Sequence, residues 1–218
     1  MNINKHLILL FSVLFFLFAV SVSSGCFRKN ESDVKSVVRN ELDQLKNLDS
    51  ETTQKYIPYT ELFPDATENT DLTDEINETF SLFFRKFNYK ISDVIVGSAN
   101  HSATVSVKLT TIDSKVLARD FKEELLRTQI TESAQAQKGN IKDSSRSLEA
   151  HYLILNHLLN TNDYDTAETD CNIQLVNTGN DKKEKWKIQR TNSLEDDLVG
   201  GLIADLADPD ILSPEDTL

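Results

Sequence analysis

The order of apolar and polar positions divides the chain into a leader and a folded part. Leu7 to Val22 is an almost unbroken apolar run, interrupted only by Ser12 and Ser21. Beyond it the pattern becomes periodic. Val34, Val37, Val38, Leu42, Leu45 and Leu48 recur at helical spacing, with Lys35, Arg39, Glu41, Asp43 and Lys46 mostly outside that stripe. Ser32 is placed to cap this helix. A short helical piece over 51–56 follows, then an irregular link bounded by Pro58 and Pro64. Over 73–87, Ile76, Phe80, Phe83, Phe84 and Phe87 form one wide aromatic stripe, suited to lying on a sheet. Core packing explains this stripe better than a ligand-binding aromatic wall does.

The period then changes from helical to two. Residues 89–96 read as a strand, Gly97 to Asn100 as a turn, and 102–112 as a second strand. In the latter Ala103, Val105, Val107 and Leu109 face one way, and Thr104, Ser106, Lys108 and Thr110 the other. The pair predicts an antiparallel hairpin with one solvated face. Ser114 is expected to cap a long helix carrying Leu117, Phe121 and Leu125 and stopping near Gly139. Another helix, starting at Asp143 or Ser144, turns Leu148, Tyr152, Leu155 and Leu159 inward, and 160–165 is a loop. A second hairpin pairs the Cys171, Ile173 and Leu175 strand with Lys185 to Arg190, where Trp186 and Ile188 share a face. Ser193 with Asp196 three residues on suggests a capped last helix lined by Leu194, Leu198, Leu202 and Leu206, with Gly200-Gly201 inside it. The expected fold is therefore α+β: a curved antiparallel sheet of about four strands in two hairpins, packed on several helices. One domain spans 32–206, and an acidic flexible tail occupies 207–218.

The leader carries the clearest message about place. A basic start at Lys5, an apolar centre and small residues after it are the parts of a secretory signal peptide. The run is short for a spanning helix, which needs about 20 apolar residues, and no later segment approaches that length. It closes on Val22-Ser23-Ser24-Gly25-Cys26. This resembles the lipobox of bacterial lipoproteins: Ser24, Gly25 and Cys26 fit, while Ser23 stands where the family usually has leucine or another aliphatic residue. The resemblance implies residues 1–25 as a removed signal peptide, a diacylglyceryl thioether on the Cys26 sulfur, and 26–31 as a lipidated tether. Two acyl chains make a stable anchor where one is marginal. The mature chain is then expected on the extracytoplasmic face of the cell membrane. An ordinary signal peptide cut nearby, and an uncleaved short anchor, are the competing readings.

Composition narrows the partners. A net charge of −12 repels phosphate backbones, so nucleic-acid binding is not expected, and it leaves the lipid to hold the membrane. Hydrophobic content of 39% with only four prolines suits a packed globule. Of the two cysteines, Cys171 has no partner if Cys26 carries lipid, and it reads as a small buried hydrophobe. No zinc-type spacing exists, and His151 and His157, six apart, do not share a helical face. Gly-x-Ser-x-Gly is absent. No cofactor is expected. One residue stands out as a candidate base: if Tyr89, Ile91, Asp93 and Ile95 share a strand face, the Asp93 carboxylate interrupts an apolar wall, and partial burial would raise its pKa toward a general base's range.

The element order, with the hairpin from Ile91 to Leu109 and the closing pair from Gly179 to Ile188, is similar to nuclear transport factor 2-like (cystatin-like) domains of bacterial lipoproteins, over roughly residues 31–206. The resemblance implies a curved sheet wrapped around a long helix, often with a conical cavity, a frame that serves enzymes, binders and assembly modules alike. The expected function is a membrane-anchored binding or protein-interaction module with an unknown protein or small-molecule ligand. The alternatives are a small-molecule enzyme using a cavity carboxylate such as Asp93, and a structural envelope component.

Overall fold

The computed structural model describes residues 30–57, 62–63, 72–97, 101–136, 147–179 and 185–212. The leader, Cys26, most of the proline-bounded link, most of the first hairpin's turn, the start predicted at Asp143 or Ser144, and residues 213–218 lie outside them. The fold is α+β. Among the described residues, four antiparallel strands form one open sheet in the order β1-β2-β3-β4: β1 Asn88–Val96, β2 Ser102–Ile112, β3 Thr166–Asn177 and β4 Trp186–Ile188. The helices are α1 (residues 30–46), α2 Ser50–Tyr56, α3 Thr73–Phe84, α4 Ser114–Ala136, α5 Leu148–Thr161, α6 Asn192–Leu198 and α7 Leu202–Ala207.

Alternation makes the sheet one-sided. Val105, Val107 and Leu109 of β2 and Cys171, Ile173 and Leu175 of β3 are buried on one face. On the other, Thr104 Oγ1 donates to Gln174 Oε1 at 3.0 Å and Ser106 Oγ to Asn172 Oδ1 at 2.9 Å. The two expected hairpins are joined edge to edge: β2 and β3 pair without interruption from Ser102↔Val176 to Ile112↔Thr166, although two helices separate them in sequence. The strand β3 begins at Thr166, well before the alternating core of Cys171 to Leu175.

The aromatic stripe packs as expected. Ile76, Phe80, Phe83, Phe84 and Phe87 are all buried, although α3 ends at Phe84 and Phe87 follows in the turn. Phe84 meets Phe80, Phe83 and Phe87 at ring distances of 5.3–6.3 Å. Fully burying such a side chain contributes about 1.5–3 kcal/mol. Helix α3 lies against α5 and β2, while α6 covers β2 and β3.

Helix ends are where structure and sequence pattern part. Helix α1 is already formed at residue 30, so Ser32 lies inside it and caps nothing. Leu48, expected in the buried stripe, instead ends the helix in the left-handed region at φ 62° and is 42% exposed. Asp49 N–H donates to Gln44 O and Leu48 N–H to Leu45 O, a Schellman closure with leucine where glycine is usual. Asp49 then caps α2 through Thr52 N–H.

Asp113, not Ser114, caps α4, its Oδ1 accepting from Lys115 and Val116 N–H. Ser147 caps α5. Thr191, not Ser193, caps α6. The single last helix is two: Gly200 and Gly201, at φ 66° and 90°, reverse the chain between α6 and α7. Asp196, expected to close a capping box on its own helix, accepts instead from Ile203 and Ala204 N–H of α7. Beyond 206, Ile211 packs against the core and Lys122 Nζ donates to Asp208 O.

Candidate functional site

Each residue singled out for chemistry has a definite place. Asp93 is exposed, and the reason is a bulge. The register of β1 on β2 shifts between Ile91 and Asp93, with Ile91 opposite Val107 but Asp93 opposite Ser106. The extra residue, Ser92, inverts the alternation. Tyr89 and Ile91 keep to the core face, Val94 and Val96 take it over, and Asp93 and Ile95 turn outward, Ile95 being 60% exposed. The apolar wall that Asp93 was to interrupt does not contain it.

Cys171 is buried and outside any disulfide. Burial drives its thiol pKa far up, and the neighbouring Asp197 carboxylate adds to the effect; both work against the thiolate form that a nucleophile needs. His151 Nδ1 donates to Ser147 O at 2.8 Å, and its ring packs on Phe63 and Phe121. His101 and His157 are exposed. Among the described residues no group of three or more His, Cys, Asp or Glu side chains could hold a metal ion.

The structure brings together a different set. Along α1, Val34, Val38, Leu42 and Leu45 form the buried stripe. Lys35, Arg39, Asp43 and Lys46 each follow one of them by a single residue. At 100° per residue this second stripe lies beside the first, at the border between core and solvent. It runs along edge strand β1. Lys46 Nζ donates to Asn88 Oδ1 at 2.9 Å, and Tyr89 Oη to Asp43 Oδ1 at 2.5 Å.

Two open hollows lie between helix and strand. One, of about 310 Å³, is lined by Lys35, Arg39, Asp43, Lys46, Asn88, Tyr89 and Ile91. The other, of about 590 Å³, is lined by Glu31, Ser32, Lys35 and the bulge from Ile91 to Val94. Lys35 borders both, so the two make one continuous groove, and α1 runs antiparallel to β1 along it. Asp93 is on its rim.

Along the groove three cations, Lys35, Arg39 and Lys46, face three carboxylates, Glu31, Asp43 and Asp93. The Tyr89 hydroxyl holds Asp43 and is itself pushed up to about 12, first by burial and then by that carboxylate. Lys46 is held by Asn88. Lys35, half-buried, and Arg39, exposed, make no ion pair or side-chain hydrogen bond among the described residues. On the sequence alone these charges stand only as residues mostly outside the buried stripe of α1. The signal was present in the spacing i, i+4, i+8, i+11 of Lys35, Arg39, Asp43 and Lys46; what it lacked was the strand opposite.

Among the described residues no helix is long and apolar enough to cross a membrane. Comparisons with protein-family models, curated proteins and solved structures found no match for this chain.

Proposed function

We propose that the chain is a lipoprotein tethered through Cys26 to the extracytoplasmic face of a cell membrane, with its folded part acting there as a binding or protein-interaction module. The observation that carries this reading is the leader: an apolar run from Leu7 to Val22 too short for a span, closed by Ser24-Gly25-Cys26. Two acyl chains on that sulfur would hold the protein without help from its acidic surface. The α1–β1 groove supports the binding half of the reading, since it is an open, polar-lined recess next to the first residues after the tether. The nuclear transport factor 2-like frame belongs to the same proposal; a one-sided four-strand sheet with helices against its apolar face suits it. The alternative of a carboxylate base at Asp93 has lost its premise, because that side chain is turned outward by the bulge.

Intact-mass measurement of the membrane-bound protein tests the tether. The expected mass is that of residues 26–218 plus a diacylglyceryl group. A chain that keeps Met1 to Gly25, or an unmodified thiol at Cys26, refutes it.

A further inference from the structure

We infer that the folded part rests on the lipid surface through one end of its sheet, with the exposed side chains of Ile95 and Val176 in the headgroup layer. The inference rests on the Cys26 tether and extends it from an anchor point to a docking surface.

Chain length decides which end is near. Residue 30, where α1 begins, is four steps from Cys26, so its Cα lies at most ~14 Å from that of the lipid-bearing cysteine. Helix α1 runs antiparallel to β1. Lys46, at its end, bonds Asn88 at the start of the strand, while Glu31 and Ser32 stand beside the bulge that leads to Val94. The start of α1 is therefore on the side of the sheet where β1 ends at Val96, β2 starts at Ser102, β3 ends at Asn177 and β4 starts at Trp186. From Ser102 to Thr110 the sheet extends about 27 Å away from this end, at ~3.4 Å per residue.

The solvent face of the sheet is sorted along the same direction. At the near end Val176 is opposite Ser102 and Lys187, and Ile95 is opposite Thr104, which pairs in turn with Gln174. Ile95 is 60% exposed and Val176 37%. In these two rows Lys187 is the one charged side chain among the described residues. Toward the far end Lys90, Lys108, Glu168 and Asp170 share the face, with Lys108 Nζ 3.1 Å from Glu168 and 4.0 Å from Asp170.

This gradient fits a headgroup layer. Ile95 and Val176 lose water on entering it, and the Lys187 stem can lie along apolar surface with its ammonium group kept in the polar zone. Thr104 Oγ1 already donates to Gln174 Oε1, which lowers the cost of drying these two polar groups. The first turn of α1 carries Glu31 and Asp33, so anionic lipid gains nothing by attraction. The contact is apolar, and zwitterionic lipid supports it.

The test uses the lipidated full-length protein in phosphatidylcholine vesicles. A nitroxide label is attached in turn through Ile95→Cys, Val176→Cys and, as the far-end reference, Glu168→Cys, all at exposed positions. Two near positions are used so that a label that disturbs the sheet at one leaves the other to report. Cys171 is buried, and the protein without these substitutions gives the labelling background. The ratio of collisions with oxygen, which concentrates in lipid, to collisions with a water-soluble nickel chelate is the readout. It is expected to be about threefold higher or more at both near positions than at the reference, with no need for phosphatidylglycerol.

Equal ratios at all three positions, the highest ratio at Glu168→Cys, or a near-end rise that requires phosphatidylglycerol overturns the inference. Intact mass of the same sample separates it from the tether. A diacylglyceryl group on Cys26 with equal ratios ends this inference and leaves the tether standing. An unmodified Cys26 thiol with high ratios at the near positions refutes the tether and sustains the surface.

Discussion

Replacing Gly200 with alanine tests how the C-terminal helix pair is locked to the sheet. Gly200 sits at φ +66°, and a Cβ there would lie 2.2 Å from Thr111 Oγ1 and 3.1 Å from Thr111 Cβ. Thr111 is buried near the end of β2, and its Oγ1 has no hydrogen-bond partner. Two costs therefore add. A left-handed alanine costs about 1–2 kcal/mol, and overfilling a packed site costs about 1–3 kcal/mol. Gly200→Ala should destabilise the fold by about 2–5 kcal/mol, a large part of an ordinary domain's ~5–15 kcal/mol.

Gly201 supplies the control. It is also left-handed, at φ +90°, but its added Cβ meets only Ser114 Oγ at 3.6 Å and Asp205 Oδ2 at 3.8 Å. Gly201→Ala should show the backbone cost alone. Urea unfolding followed by the single tryptophan, Trp186, buried on β4, is a suitable assay. Adding Thr111→Ala to Gly200→Ala should recover about 1–3 kcal/mol of the steric part in a double-mutant cycle. If Gly200→Ala costs no more than Gly201→Ala, or if the cycle is additive within ~0.5 kcal/mol, the steric lock does not exist.

Leu48→Gly should raise stability by about 0.5–1 kcal/mol, because relief of a left-handed leucine outweighs the glycine's extra freedom in the unfolded chain; a lower melting temperature contradicts this. Tyr56, Tyr89 and Tyr164 all have hydroxyls pushed up to about 12, chiefly by burial. Unfolded phenols ionise near pH 10 while these stay protonated, so the stability they contribute is complete below pH 10 and drains away between pH 10 and about 12. Phenolate absorbance of the folded protein rising fully at pH 10 would show the assignment to be mistaken. Asp93→Asn, at an exposed position opposite Ser106, should change stability by less than ~0.5 kcal/mol; a loss of 2 kcal/mol or more by urea titration would mean that the carboxylate has a buried role.

Which faces are buried is legible from the chain's own periodicity. The stripes from Val34 to Leu45 and from Ile76 to Phe84, and the alternation in Ala103 to Leu109 and Cys171 to Leu175, all lie inward as the pattern requires. Burial is a property of each element's own periodicity, so it can be read locally. Helix ends could not be read the same way. Neighbouring polar residues compete for each cap, and the winner depends on what else claims the loser. Ser114 leaves the cap of α4 to Asp113 because its hydroxyl proton is shared between Gly200 O at 2.6 Å and Asp205 Oδ2 at 2.5 Å, both distant in sequence.

Three features were decided only by the tertiary structure. The bulge at Ser92 reverses the side of Asp93, since one inserted residue flips a period-two pattern and nothing within the strand marks where it falls. The pairing of β2 with β3 depends on the distant segments meeting in one register. The groove exists because α1 lies along β1, so charges that look solvated on an isolated helix face a strand instead. A pattern along one element says what that element hides; what it confronts is set by the element packed against it.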